Sequence, residues 1–383
     1  IDIMTNTATK DGQIKELISG NCIKIGNWKL KNGDVSKYYF NMKNIISNPS
    51  LLKRIGDELY KKLNDFDVIC GIPHGGMPIA CYISTTYNKP MIFIRDSKKT
   101  YGTANLIEGE YKPTDKCVII DDVMTTGSSI LEALFLLQDK INIVDIGVIM
   151  NRQQHVLKTP IKSVFYKNDI VKYRLKQISR EKKSKLCFSA DIEDPEKLLT
   201  ILDNIGKYIV ICKIHYDIID TEKLSTDLNF QEELIKLSIK HDFLIMEDRK
   251  FIDISSIVSK QYSKFNNWID LVTVHGSVSG EVIQQLSGAL IVANMSNNTY
   301  DLTTNAITLA GENPDNVIGF ITQTRIDYNN LICMTPGIAL QTSSIKDQKY
   351  RSVKNIDTDF IIVGRAIYNS ENIDETVQKF LSK

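Results

Sequence analysis

The chain carries almost no net charge: 47 lysines and arginines against 46 aspartates and glutamates, a formal +1. That balance excludes bulk attraction to nucleic acid or to an anionic membrane, so any anion must be met by a local constellation. Paired cysteines are missing as well. The seven cysteines are scattered and odd in number, with no metal-type spacing. Cys70, Cys117, Cys187, Cys212 and Cys333 lie in or beside apolar runs and read as reduced core thiols of a cytoplasmic protein. No apolar run approaches the roughly 20 residues that a membrane helix needs. The stretch Ile1–Gly12 lacks the basic-plus-apolar layout of a signal peptide.

What is present is length and alternation. A chain of 383 residues exceeds one ordinary core and predicts two domains of roughly 150–200 residues. Between Gly12 and Gln153 helical patterns alternate with the β-rich runs Val68–Pro73, Met91–Arg95, Val118–Asp122 and Val144–Met150. These are apolar enough for a parallel sheet covered on both faces. The basic stretch Val171–Lys185 reads as a solvated amphipathic helix joining two domains. Eight short apolar runs follow: Leu186–Ser189, Tyr208–Ile214, Phe243–Met246, Leu271–Val274, Ala289–Ala293, Val317–Ile321, Leu331–Met334 and Phe360–Val363. Eight βα units in about 200 residues predict a (β/α)8 barrel with its active site at the carboxyl ends of the strands. The expected organisation is an α/β sheet domain over residues 10–168, a basic helical linker over 169–185 and a barrel over 186–383.

Chemistry is concentrated in two places. The first is Val118–Ser129, a buried strand ending in Asp121 and Asp122, then a small-residue loop (Thr125, Thr126, Gly127, Ser128, Ser129) that opens a helix. Backbone N–H groups and hydroxyls at a helix amino terminus suit a phosphate monoester. The two acids can accept from vicinal ribose hydroxyls, so the pair of features describes a ribose 5-phosphate. An acidic strand end with an ordinary N-cap is the plainer alternative.

This segment resembles the PRPP-binding signature of type I phosphoribosyltransferases. Lys31-Asn-Gly with Ser36-Lys-Tyr-Tyr-Phe-Asn41 is similar to the orotate-specific branch of that family. The resemblance implies Lys31, Tyr39 and Phe40 around an orotate ring, with Arg152 contacting it. It also implies Arg95, Lys98, Lys99 and Tyr101 on a loop that closes over pyrophosphate, Lys99 being the catalytic cation. Mg²⁺ would come with PRPP, held largely by diphosphate and ribose oxygens. The chain departs from the family pattern at Lys37, His74-Gly75 and Asp96.

The second place is Met246-Glu-Asp-Arg-Lys-Phe-Ile-Asp253, directly after the third barrel run. Asp248 and Lys250 are two apart and point the same way in an extended segment. The spacing recurs at Ser189/Asp191 and Lys213/His215. Lys213, Asp248, Lys250 and Asp253 are therefore expected to converge on one rim, where alternating charges hold one another ionised. Taken singly, each favours a plain surface salt-bridge cluster; taken together at the ends of three successive strands, they favour a catalytic site.

The stretch resembles the D-x-K-x-x-D pattern of orotidine 5'-monophosphate decarboxylases. Ser189-Ala-Asp191, Lys213-Ile-His215, Met295-Ser296, Thr335-Pro-Gly337, Gln348 with Tyr350, and Val363-Gly-Arg365 fall in that family's order. The resemblance implies Lys250 as proton donor, with Asp248 and Lys213 keeping the array ordered. Asp253 and Ile254 would serve the neighbouring subunit of a homodimer. Asp191 would hold a ribose hydroxyl and Ser296 the pyrimidine edge, with Ser189, His215 and Pro336 among the other substrate contacts. Gln348, Tyr350, Gly364 and Arg365 would grip the phosphate. No metal or other cofactor is expected for decarboxylation. Ile257 stands where that family usually carries threonine.

The two resemblances cover nearly the whole chain in the order, transferase first, of the animal-type fusion. They imply orotate, PRPP, orotidine 5'-monophosphate and UMP as ligands. Three other readings stay open: a decarboxylase beside a PRPP-binding or inactive first domain, a PRPP-sensing regulator, and a Mg²⁺-dependent sugar-phosphate decarboxylase or aldolase on a similar barrel. Lys31, Tyr39 and Arg152 argue against the regulator. Lys213 and His215, standing where the last group has an added acid, argue against the aldolase.

Overall fold

A computed structural model describes residues 9–30, 33–95, 106–152, 161–224, 229–295, 301–345 and 348–382. The chain divides into two compact units. One holds the segments Ile1–Lys24 and Phe40–Asp169; the other holds Ile25–Tyr39 and Ile170–Lys383.

Strands β1 (Ile23–Lys29) and β2 (Val35–Phe40) pair as a two-stranded sheet. The first unit is built on a six-stranded sheet of β3 (Val68–Gly71), β4 (Met91–Ile94), β5 (Ile107–Glu108), β6 (Lys116–Met124), β7 (Asn142–Asn151) and β8 (Ile161–Tyr166). The order is β5-β4-β3-β6-β7-β8. All neighbours run parallel except β5 against β4. Helices cover the sheet, which is why Val68–Cys70 and Val118–Ile120 are continuously apolar and buried. The helix Pro49–Lys62 shows the local logic. Asn48 accepts the Leu51 N–H, a proline opens the first turn, and Leu51, Ile55 and Leu59 line the inward face.

The second unit is a closed parallel barrel of β9 (Leu186–Ser189), β10 (Ile211–Ile214), β11 (Leu244–Phe251), β12 (Leu271–His275), β13 (Ala289–Val292), β14 (Val317–Ile321), β15 (Ile332–Thr335) and β19 (Phe360–Val363). Between the last two lies a small sheet of β16 (Ile338–Ala339), β17 (Ser343–Ile345) and β18 (Gln348–Ser352). The eight apolar runs are the eight staves. The structure adds residues at the carboxyl end of the third, where β11 continues through the charged run to Phe251.

The basic segment expected as a solvated linker is corrected by its packing. Residues from Ile170 onward belong to the barrel unit. In the helix Lys167–Lys182, Val171, Leu175 and Ile178 are buried in one cluster with Cys187, Ile211, Leu244 and Leu271 of the strands. That i, i+4, i+7 stripe closes the amino-terminal end of the barrel, each side chain contributing about 1.5–3 kcal/mol by burial. Lys176 and Arg180 are exposed on the opposite face, Lys167 and Arg174 are buried beside the stripe, and Lys182 reaches back to the carbonyls of Gly206 and Ile209 at 2.8 and 2.7 Å.

Residues of the β1–β2 sheet also pack on the barrel. Lys37, fully buried, ion-pairs with Asp270 at 2.6 Å and donates to the Phe243 carbonyl at 3.1 Å. The Tyr38 hydroxyl donates to the other Asp270 oxygen at 2.6 Å. Lys37, noted in the sequence as a departure from pattern, is thus a structural anchor.

Candidate active sites

Residues at the carboxyl ends of the barrel strands enclose a cavity of about 280 Å³. Lys213 sits on β10, its ammonium 2.7 Å from Asp248 Oδ2, 3.4 Å from Asp191 Oδ1 and 3.2 Å from His215 Nε2. Lys250 Nζ is 2.9 Å from Asp248 Oδ1. Ser189 donates to Asp191 at 3.0 Å. The strand ends thus deliver an alternating chain Asp191–Lys213–Asp248–Lys250.

Its electrostatics are self-consistent. Burial alone would raise the Asp248 pKa, but the charges of Lys213 and Lys250 outweigh it and hold the carboxyl well below the usual range. Burial would lower Lys213, and Asp248 and Asp191 reverse that, keeping it firmly protonated. Burial and the Lys213 charge depress His215, which favours its neutral form. Asp248 and Lys213 thus hold each other ionised, with an imidazole biased towards its neutral form beside them.

The same cavity is also lined by Pro336, Gly337, Tyr350, Gly364 and Arg365. A Cβ on Gly364 would lie 3.0 Å from the Ser189 carbonyl, so glycine lets the last strand end close against the first. A guanidinium and open backbone suit a phosphate monoester.

The structure brings together Ser189, Asp191, Lys213, His215, Asp248, Lys250, Pro336, Tyr350, Gly364 and Arg365, all lining the cavity. It does not bring in Asp253 or Ile254. Both are exposed, and Asp253 accepts the Ile254 N–H at 2.7 Å. The expected convergence of four charges on one rim is therefore three. Ser296 and the side chain of Gln348 lie outside the described residues. Sequence reasoning missed Thr273, which lines the cavity and bonds Asp248 at 2.7 Å. Its signal was a hydroxyl inside an otherwise apolar stave.

In the sheet unit, β6 carries Asp121 and Asp122 just before its end at Met124, and Gly127 turns with φ 77° into the helix Ser128–Leu137. Thr126, Ser128 and Ser129 are exposed, with the Thr126 and Ser128 hydroxyls 2.9 Å apart. Burial and then the neighbouring Asp122 push Asp121 up to about 7. Gly75 backs directly onto Asp122: a Cβ there would lie 2.2 Å from its carboxyl carbon. The Arg152 guanidinium stands 5.4 Å from the centre of the Phe40 ring. Arg95 ion-pairs with Glu108, and Tyr39 is exposed beside Trp28. Lys31, Asp96, Lys98, Lys99 and Tyr101 lie outside the described residues.

An eight-stave parallel barrel with a lysine–aspartate array at its carboxyl-terminal mouth defines a class, the barrel enzymes that stabilise charge at a strand-end site. The chain belongs to the orotidine 5'-phosphate decarboxylase / HUMPS family, whose model matches residues 184–380. A phosphoribosyl transferase domain model matches residues 41–177. The uridine 5'-monophosphate synthase of Bos taurus is 29% identical, over 97% of this chain and 97% of its own length. The Caenorhabditis elegans protein of that name is 27% identical over 99% and 96%. The orotidine 5'-phosphate decarboxylase of Pichia kudriavzevii is 36% identical, over 51% of this chain and 84% of its own.

Proposed function

We propose that the chain makes UMP from orotate in two steps, the activity named for its full-length relatives. The first unit joins orotate to PRPP with loss of pyrophosphate; the barrel decarboxylates the orotidine 5'-monophosphate formed. The observation that carries this reading is the Lys213–Asp248–Lys250 array lining one cavity with Arg365.

In the second step the bond from C6 of the pyrimidine to its carboxylate breaks, CO₂ leaves, and the electron pair stays on C6. No carbonyl is placed to receive it. A preformed ammonium beside that carbon is the available stabiliser, and Lys250 Nζ delivers the proton that completes UMP. Asp248 and Lys213 hold that ammonium in place. Tyr350, Gly364 and Arg365 grip the phosphate, so binding energy far from C6 orients the ring. Asp191 holds the ribose. Asp253 and Ile254 serve a neighbouring copy in a homodimer, and the protein works in the cytoplasm.

In the first step Asp121 and Asp122 face the ribose, the Thr125–Ser129 loop takes the 5-phosphate, and Phe40 and Arg152 take orotate. Among the described residues no group of three or more acidic, histidine or cysteine side chains could hold a metal ion. Mg²⁺ would come with PRPP, held by its diphosphate and ribose oxygens, and would supply neutralising charge for the diphosphate.

The test is an ultraviolet assay on the purified protein, with orotate, PRPP and Mg²⁺ in one mixture and orotidine 5'-monophosphate with EDTA in another. UMP is expected from both. Lys250→Ala should stop the second reaction and leave orotidine 5'-monophosphate to accumulate from the first. UMP only from the second mixture would reduce the protein to a decarboxylase with a PRPP-binding or inactive first unit. No UMP from either would overturn the reading.

A further inference from the structure

The chain reaches Lys250 by an irregular route. Met246 pairs with Leu271 and Glu247 with Val272, and the next matched pair is Phe251 with Val274. Asp248, Arg249 and Lys250 therefore stand opposite the single residue Thr273. Within this bulge Lys250 has φ 49°, a left-handed conformation that costs a long side chain free energy and needs outside support. The expectation that Asp248 and Lys250 share a face by plain alternation is corrected here: they share it because the strand bulges.

Thr273 supplies the support. Its Oγ accepts the backbone N–H of Lys250 at 2.9 Å and donates to Asp248 Oδ1 at 2.7 Å. The same carboxylate oxygen accepts the Lys250 ammonium at 2.9 Å. The direction of each bond is fixed, because an amide can only donate and a carboxylate can only accept. One hydroxyl thus closes a ring through the backbone and the side chain of Lys250. Thr273 is almost fully buried, so water does not readily replace it.

We propose that Thr273 is a positioning residue for decarboxylation, its hydroxyl locking the bulge so that Lys250 Nζ and Asp248 act as one preset unit at the reacting carbon. The proposal rests on the decarboxylase reading above. Asp191, assigned to the ribose, bonds Ser189 and Lys213 and not the Thr273 hydroxyl, so loss of that hydroxyl should act on the chemical step more than on substrate affinity.

The experiment begins with wild-type protein and orotidine 5'-monophosphate. Failure to decarboxylate there would remove the function reading itself, before any variant is compared. Thr273→Val then keeps shape and removes the hydroxyl, and Thr273→Ser restores it. For Thr273→Val, kcat should fall roughly 10–100-fold, the scale of a sub-ångström misplacement of a reacting group. KM and the Kd of UMP should stay within about threefold, with a melting midpoint close to wild type. Thr273→Ser should return to within about threefold of wild-type kcat. A folded Thr273→Val with near-wild-type kcat would overturn the proposal. So would a serine variant as slow as the valine, or joint loss of UMP affinity and rate. Thr273→Ala reads the same hydroxyl should the valine variant fail to fold.

Discussion

Glu247 and Asp248 are consecutive carboxylates whose protonation is driven in opposite directions. Asp248 turns into the barrel, between two ammonium groups that keep it ionised. Glu247 turns the other way and is fully buried, its Oε2 accepting the Tyr216 N–H at 3.0 Å while Oε1 has no hydrogen-bond partner among the described residues. Burial pushes its pKa to about 7, with the Tyr216 bond opposing. Because the folded value lies above the unfolded one, near 4.5, the folded state holds the extra proton. Glu247 therefore costs stability progressively as pH rises from about 4.5 to about 7. Glu247→Gln keeps the acceptor for Tyr216 and removes the charge. It should raise the unfolding free energy by about 2 kcal/mol at pH 8 and by little at pH 5. Urea unfolding at the two pH values measures this, and an equal gain at both would sink the explanation. Much of this region was legible in the sequence, because two-residue spacings at strand ends declare which charges meet. The bulge, Thr273 and the fate of Glu247 were not, since each depends on what the neighbouring strand presents.

At the scale of elements, short buried staves announce themselves by apolar runs, and the barrel was legible to within a few residues at most strand ends. One element was misjudged and one residue left unexplained for the same reason: their partners are distant in sequence. The helix Lys167–Lys182 reads as a solvated basic segment until its narrow apolar stripe meets the barrel floor. Lys37 reads in the sequence only as a departure from the family pattern, because its carboxylate partner, Asp270, lies 233 residues away. Burial pulls the Lys37 pKa down and the Asp270 charge opposes that. Lys37→Met leaves Asp270 charged in the core, supported by Tyr38 and the Ile245 N–H. It should destabilise the protein by about 3–5 kcal/mol. Adding Asp270→Asn removes the stranded charge and should recover part of the loss. A double-mutant cycle by urea unfolding checks both. A near-neutral Lys37→Met, or a double variant no better than the single, would remove the ion pair from the list of what holds β2 on the barrel.

At the scale of the whole molecule, a chain of net charge +1 handles several anionic ligands without any global field. On the proposed function each is met by its own constellation: Arg365 and its neighbours at the barrel mouth, the Thr125–Ser129 loop in the sheet unit. Such local handling makes the two activities separable by single substitutions. Asp122 is the residue with which to show it. It follows the buried Asp121, lies against the bare backbone of Gly75, and accepts the Val123 N–H at 2.8 Å through Oδ1. Asn in its place fits the same space and keeps an oxygen for Val123, but loses the charge that strengthens a bond from a ribose hydroxyl. Charge-assisted hydrogen bonds contribute about 1.5–3 kcal/mol. Asp122→Asn should therefore lower kcat/KM for PRPP on the order of 10–100-fold. Decarboxylation of supplied orotidine 5'-monophosphate, measured on the same preparation, should stay within about twofold of wild type. Unchanged PRPP use would remove Asp122 from the ribose site. Equal loss of both reactions would mean that the two sites are not chemically independent, and that the second unit needs the first intact to work.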